Sequence, residues 1–349
     1  MPQVTVLLPV YNGANYLAQA MQSVLAQDFI DFELHVLDDC SEDESARVAQ
    51  SSGDPRVRYS RNPERYGLFK TLNRGFEEAK TSLVRIWAHD DIMLPGGLRA
   101  FVDFAQRYPS AGMVYSDFYA INAAGERTGD DLAHVGQRVR TPEIASPQVS
   151  ALLFCCYGCL PGNISTVMLR KEIWAKVGGF LTGIQQAPDY EMWVRMSEHH
   201  NVGFIREKTV ELRSHPLQLG QQGHRQMTSI EEEVQVVRML KQRLADIVPE
   251  AELRRVRQVE RGRQYVQWIA RAALRGDFAG ACRGWKALAH HGQPWSQALF
   301  WLLSINGRFF MLDRNTWFDR HLALVNNSHA VVDRVLAQRE MEKRRSPLV

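Results

Sequence analysis

With 349 residues, 42 of them basic and 39 acidic, the chain lies near charge balance at a formal net charge of +3. That balance, with an acidic front half, excludes the broad basic footprint of a nucleic-acid binder. A hydrophobic content of 45% supplies a large core for about two domains, yet the longest apolar stretches, around 151–160 and 298–305, fall short of the roughly 20 residues that a membrane-spanning helix needs.

Residues 4–10 read as a buried strand and Tyr11-Asn12-Gly13 as a tight turn. The spacing of Leu17, Met21, Val24 and Leu25 predicts an amphipathic helix over 15–27. No basic segment precedes the first strand, so the chain is expected to lack a signal peptide and to be cytoplasmic. A second strand, 32–37, ends in Asp38-Asp39, and Ser41 is placed to cap the helix that follows. A further buried strand, 83–88, runs into Asp90-Asp91, with Pro95 placed to open another helix.

Two adjacent carboxylates repel each other unless a cation sits beside them. Strand ends on one rim of an open α/β sheet are where such sheets bind ligands. Paired Asp residues there suggest a divalent metal carrying an anionic substrate. Taken alone, the doublet is equally the mark of a solvated turn or helix cap.

Further along, Pro188 suits a first helical turn, and Met192, Val194 and Met196 fall at partly buried positions. A carboxylate at the helix N-terminus, Asp189, is stabilised as the anion by the macrodipole. That suits a proton acceptor or a simple helix cap. Glu191, two residues on and on a different face, is its rival.

Residues 220–224 form a polar, Gly-containing linker. Beyond them helices are predicted at 228–247, 250–275, 277–291, 294–310 and 328–344, broken at Pro249, Gly276, Pro294 and Asn326-Asn327. The expected architecture is an α/β domain over 1–222 with a Rossmann-like, mostly parallel sheet, followed by a smaller α-helical domain over 223–349. After residue 225 there are 20 basic and 13 acidic residues, together with Trp285, Trp295, Trp301, Phe309 and Phe310. Such helices dock on an anionic membrane surface, or carry solvated Arg around an aromatic core. Five cysteines, an odd number, fit reduced thiols, and Cys156 with Cys159 has no second pair to complete a metal site. The turn after the first strand lacks the Gly-x-Gly-x-x-Gly of a dinucleotide-binding dehydrogenase.

Several segments carry a resemblance: LLPVYNGANYL, SVLAQ, VLDDCSEDES, RNPERYGLFKTLNRGFEEAK, HDDIMLP, GGF at 178–180 and PDYEMWVRM at 188–196. In this order, over roughly residues 3–215, the chain resembles the family 2 glycosyltransferases of the A-type nucleotide-sugar fold. Two departures stand out. The family often has an Asp where this chain has Ala88, and often a Glu where it has Pro188.

The resemblance implies an inverting, metal-dependent transfer of sugar from a nucleotide diphosphate, with UDP favoured, to a hydroxyl of a glycan or lipid-linked acceptor in surface polysaccharide synthesis. By the same token Asp91 would ligate Mn²⁺ or Mg²⁺, with His215 as a second ligand that favours Mn²⁺. Asp90 would face the ribose or an outer-shell water. Asp189 would be the base, with Glu191 the alternative. Pro9, Tyr11 and Asn12 would approach the nucleoside, and Asp38 or Asp39 would accept from a ring N–H. Arg61, Lys70 and Asn73 would lie near the ribose and phosphates. The stretch 162–166 would belong to the acceptor wall. A catalytically inactive relative that only binds the nucleotide sugar is the alternative reading.

Overall fold

The computed structural model describes residues 2–128, 141–184, 187–215, 218, 228–248 and 269–291. The chain divides into two compact units. The first takes Met1–Ser150 and Cys159–Val236, and the second takes Ala151–Gly158 and the chain from Val237 onward.

The first unit is built on a nine-stranded sheet. Its strands are β1 (Val4–Val10), β2 (Phe32–Asp38), β3 (Val57–Arg61), β4 (Leu83–Ile86), β5 (Ile92–Met93), β6 (Ala111–Ile121), β7 (Ile144–Ala145), β8 (Val167–Arg170) and β9 (Asn201–Arg213). The order is β3-β2-β1-β4-β8-β6-β9-β5, with β7 also paired to β9. β1 to β4 are mutually parallel. β8 runs against both β4 and β6, so β6 points the same way as β4, and β9 is parallel to β6. The C-terminal ends of β1, β2, β4, β6 and β9 therefore emerge on one rim of this mixed, mostly parallel sheet.

The helices are α1 (Ala14–Leu25), α2 (Ser45–Gln50), α3 (Leu68–Glu78), α4 (Gly97–Arg107), α5 (Pro147–Tyr157), α6 (Lys171–Val177), α7 (Pro188–Met196), α8 (Thr228–Leu244) and α9 (Phe278–His291). Val4, Val6, Leu8 and Val10 of β1 share a core with Leu17, Met21 and Val24 of α1 and with Leu98 and Phe101 of α4. The opposite face of β1 is covered by α3, where a Cβ on Gly75 would lie 2.5 Å from Leu37 and 3.1 Å from Leu7. Burial on both faces is why β1 reads as an unbroken apolar run rather than an alternating one.

Two local expectations change. The strand over 83–88 ends at Ile86, and Ile92–Met93 form a short strand paired with Glu211 and Val210 instead of leading directly into a helix. α4 then starts at Gly97 behind a left-handed Gly96, φ +76°, so Pro95 lies outside it. Of the predicted C-terminal helices, 228–247 and 277–291 appear as α8 and α9. The linker 220–224, most of 250–275, and the helices 294–310 and 328–344 lie outside the described residues. Among the described residues no helix is long and apolar enough to cross a membrane.

Candidate functional site

The first part of the site is the junction of the turns after β1 and β2. Asn12 holds a left-handed conformation, φ +48°. Its N–H donates to Ser41 Oγ at 3.1 Å, and its Oδ1 accepts the Glu42 N–H at 2.8 Å. Ser41 therefore ties two turns together rather than capping α2, which begins at Ser45. The Ser41 N–H donates to Asp38 Oδ1 at 2.8 Å. The Tyr59 hydroxyl donates to Asp38 Oδ2 at 2.7 Å, and Arg61 stands 3.5 Å from that oxygen. Burial and then the Asp38 carboxylate push the Tyr59 hydroxyl up to about 12, so it stays a donor.

Asp39 is buried and accepts from four groups. Asn62 Nδ2 and the Tyr66 N–H reach Oδ1 at 2.7 Å, Thr71 Oγ1 reaches it at 3.0 Å, and the Gly67 N–H reaches Oδ2 at 2.8 Å. A carboxylate offers about four lone-pair directions. Asp39 thus organises the segment between β3 and α3. That segment carries Arg65, whose guanidinium lies 4.0 Å from the centre of the Tyr11 ring, and Tyr66, whose ring lies 3.8 Å from Nζ of Lys70 in the first turn of α3. Pro9 is buried within β1 beside Leu37.

The second part is the acidic doublet. His89 packs so closely on the first turn that a Cβ at Gly13 would lie 2.2 Å from its ring, which brings the doublet to the β1 turn. Asp90 Oδ2 faces His215 Nε2 and Gln218 Nε2, each at 3.0 Å. Asp91 has no exposed surface. Its Oδ2 accepts from Ser165 Oγ at 2.5 Å and its Oδ1 from the Arg213 N–H at 2.9 Å. Burial, and then the charge of Asp90, push its carboxyl well above the usual carboxylate range. The buried Arg213 side chain donates to the Asp90 carbonyl at 2.8 Å, to the Ala123 carbonyl at 3.0 Å and to Gln19 Oε1 at 2.8 Å. Ser165, Arg213 and Gln218 are residues that the sequence reading did not assign to the site. Ser165 lay in the stretch read as acceptor wall, and Arg213 only two positions before His215.

The third part is α7. Asp189 lies in its first turn and is half-buried, and its Oδ1 accepts the Tyr190 N–H at 2.8 Å. Burial is the main cause that pushes its carboxyl up to about 6, and Glu232 adds to the rise. Glu232 of α8 also accepts the Ala187 N–H at 2.8 Å, capping α7. Glu191 is engaged differently. Both its oxygens accept from Arg195 at 2.7 Å, and Arg195 also donates to the carbonyls of Val177 and Gly179. Asn73 grips the same turn from α3, donating to the Phe180 carbonyl at 2.8 Å and accepting its N–H at 2.9 Å. Asn73 and Glu191 are thus tied into the Gly178-Gly179-Phe180 turn. Trp193 is fully buried against Phe180, with ring centres 5.7 Å apart.

A mixed, mostly parallel sheet with acidic residues after β2 and β4 on one rim has the layout of an A-type nucleotide-sugar fold. Residues 5–165 match the model of glycosyl transferase family 2, the family that this part of the chain resembles. Among curated proteins, an uncharacterized glycosyltransferase of Rickettsia typhi is 26% identical over 220 residues. That match covers 62% of this chain and 65% of the relative's own length. Among solved structures, residues 1–349 of S. aureus TarS in complex with UDP-GlcNAc align with a TM-score of 0.58 at 15% identity, covering 90% of this chain and 95% of that one. The mannosyltransferase PcManGT from Pyrobaculum calidifontis, in complex with GDP-Man and Mn²⁺, aligns with a TM-score of 0.52 at 18% identity, covering 93% of this chain and 85% of that one. At such identities the two structures speak to the fold.

Proposed function

We propose that this chain is an inverting, metal-dependent glycosyltransferase that moves a sugar from a nucleotide diphosphate, UDP-linked, to a hydroxyl of a glycan or lipid-linked saccharide. The observation that carries the reading is the meeting of Asp90 Oδ2 and His215 Nε2 at 3.0 Å on the ligand-binding rim. That separation matches two neighbouring ligand atoms on an octahedral ion with bonds of about 2.1 Å. A carboxylate oxygen with an imidazole nitrogen suits Mn²⁺ better than Mg²⁺. Among the described residues no group of three or more His, Cys, Asp or Glu side chains forms a full cage, so donor phosphate oxygens and water would supply the remaining ligands.

The fit favours Asp90 over Asp91 as the ligand. Asp91 is wholly enclosed and occupied by Ser165 and Arg213, which suits it to orienting its neighbour. When bound, the cation would offset negative charge on the departing diphosphate. The chain's own residues do the rest. Tyr11, Asn12, Asp38 and Asp39 shape the nucleoside floor, and Arg61, Arg65 and Lys70 lend positive charge to the phosphates. Asp189 takes the proton of the acceptor hydroxyl as that oxygen bonds to the sugar C1 and the C1–O bond to the diphosphate breaks. Glu191, held by Arg195, is left without that role. One base and a single displacement give inversion at C1.

By analogy with the family alone, the product belongs to a surface polysaccharide, made at the cytoplasmic side. The basic C-terminal region over 223–349 would contact the membrane peripherally. The test is an assay of purified protein with UDP-sugars and Mn²⁺. Transfer or hydrolysis that disappears in Asp189→Asn, with UDP binding retained, supports the reading. UDP binding without turnover of any donor would favour an inactive nucleotide-sugar-binding relative.

A further inference from the structure

β4 reads Leu83, Val84, Arg85, Ile86, and an arginine in the middle of this central strand needs a reason. Arg85 is 1% exposed, with its guanidinium 4.0 Å from the centre of the Phe101 ring. One nitrogen, Nη2, donates to the Ser165 carbonyl. Its Nε and Nη1 have no hydrogen-bond partner among the described residues. Burying a guanidinium on one hydrogen bond is unfavourable, and an apolar side chain would pack over Phe101 and Trp87 without that penalty. Burial draws its pKa down only to about 9, with the charge of Asp91 opposing the fall, so the group remains a cation at neutral pH.

The residue that Arg85 holds is the one that holds the doublet. Ser165 gives its hydroxyl proton to Asp91 at 2.5 Å and accepts the Ala88 N–H at 2.9 Å. Arg85, Ser165 and Asp91 thus form a chain of contacts that ends beside the Asp90–His215 pair. Arg213 approaches the same doublet from β9. Two buried guanidinium groups therefore stand behind two carboxylates, in a chain that has Ala88 two positions before the pair. We propose that Arg85 is a positioning residue for the acidic doublet: acting through Ser165, it fixes Asp91 and so sets the affinity of the rim for a divalent cation with its nucleotide. This rests on the functional reading above and names a residue that acts behind its metal pair.

The test is calorimetry of UDP binding to the full chain, in Mn²⁺ and in EDTA, alongside thermal melting. Wild type is measured first. No gain in UDP affinity from Mn²⁺ would overturn the functional reading itself, and this inference with it. Given that gain, Arg85→Met is expected to lose about 10-fold or more of the affinity in Mn²⁺, the scale seen for residues that orient metal ligands, with affinity in EDTA unchanged. Arg85→Lys should recover most of the loss, because a cation near Ser165 is restored. Ser165→Ala, which removes a single hydroxyl, should reproduce the loss and keeps the question open to test if Arg85→Met does not fold. Unchanged Mn²⁺-dependent affinity in a folded Arg85→Met or Ser165→Ala, or equal losses with and without Mn²⁺, would overturn the role for Arg85 while leaving the metal pair standing.

Discussion

Ser165 donates its hydroxyl proton to Asp91 at 2.5 Å, and the same oxygen accepts the Ala88 N–H at 2.9 Å. One small side chain therefore fixes both ends of the turn that carries the doublet. Its effect is to split two adjacent carboxylates into different environments. Asp91 faces inward on two fixed donors, while Asp90 turns to His215.

That split predicts unequal mutants. Asp90→Asn should lower UDP affinity in Mn²⁺ by about 100-fold, because a charged ligand is lost, while leaving stability nearly unchanged. Asp91→Asn sets an amide NH₂ against Ser165 or the Arg213 N–H, and should cost about 1–3 kcal/mol of stability. Its effect on affinity should be nearer 10-fold. Calorimetry and urea unfolding check both numbers. Equal losses of affinity would mean that the two carboxylates share the ligand role.

The pH dependence follows from Asp189. Its carboxyl is raised from 3.8 to about 6, with burial the main cause. For a group raised in this direction the stabilising contribution is fully present below the unfolded value and is lost as pH rises through about 6. Activity runs the other way, because the base must be ionised to accept a proton. The expected kcat/KM profile climbs through about pH 6 and levels off above it. Asp189→Asn should cut turnover by about 10²–10⁴-fold and remove the stability loss across that window. An acid limb that lies near 4 in wild type would contradict the assignment.

Glu191 offers a contrast on the same helix. Both its oxygens bond Arg195 at 2.7 Å, and Arg195 in turn holds the Val177 and Gly179 carbonyls. Glu191→Ala leaves a mostly buried guanidinium without its partner and should destabilise the fold by about 3–5 kcal/mol. Because the role is structural, the folded fraction should keep most of its kcat. A Glu191→Gln variant that folds normally and yet loses turnover as Asp189→Asn does would return the base role to Glu191.

The strands and carboxylates of the first forty residues were legible because their signals are contiguous: one buried run followed by the Tyr11-Asn12-Gly13 turn, and a second ending in Asp38-Asp39. The occupancy of Asp39 was not legible, since its donors, Asn62, Tyr66, Gly67 and Thr71, come together only when β3 and α3 pack beside β2. Likewise Asp90 and His215 lie 125 residues apart, and resemblance to a family, not local pattern, paired His215 with the doublet. Pro95 misled because β5 pairs with β9, far along the chain, before α4 can start. Ser165 looked like part of a wall because nothing local marks a hydroxyl that reaches a carboxylate 74 positions earlier.

A last expectation concerns the stability of the sheet itself. His35 of β2 is fully buried, with Nε2 2.7 Å from Ser60 Oγ and Nδ1 without a partner among the described residues. Burial first, then the charges of Arg58 and Arg74, bring its pKa from 6.5 down to about 3. The folded chain thus keeps the imidazole neutral where the unfolded chain would protonate it. For a group lowered in this way, stability is fully present above 6.5 and is lost as pH falls towards 3. The slope attributable to this one group is about 1.4 kcal/mol per pH unit at most. Asp189 contributes with the opposite sign between about 4 and 6, so the comparison belongs in an Asp189→Asn background. Urea unfolding at pH 7, 6, 5 and 4 should show a shallower decline for His35→Gln than for the parent. Parallel declines would mean that the sheet accepts a protonated imidazole.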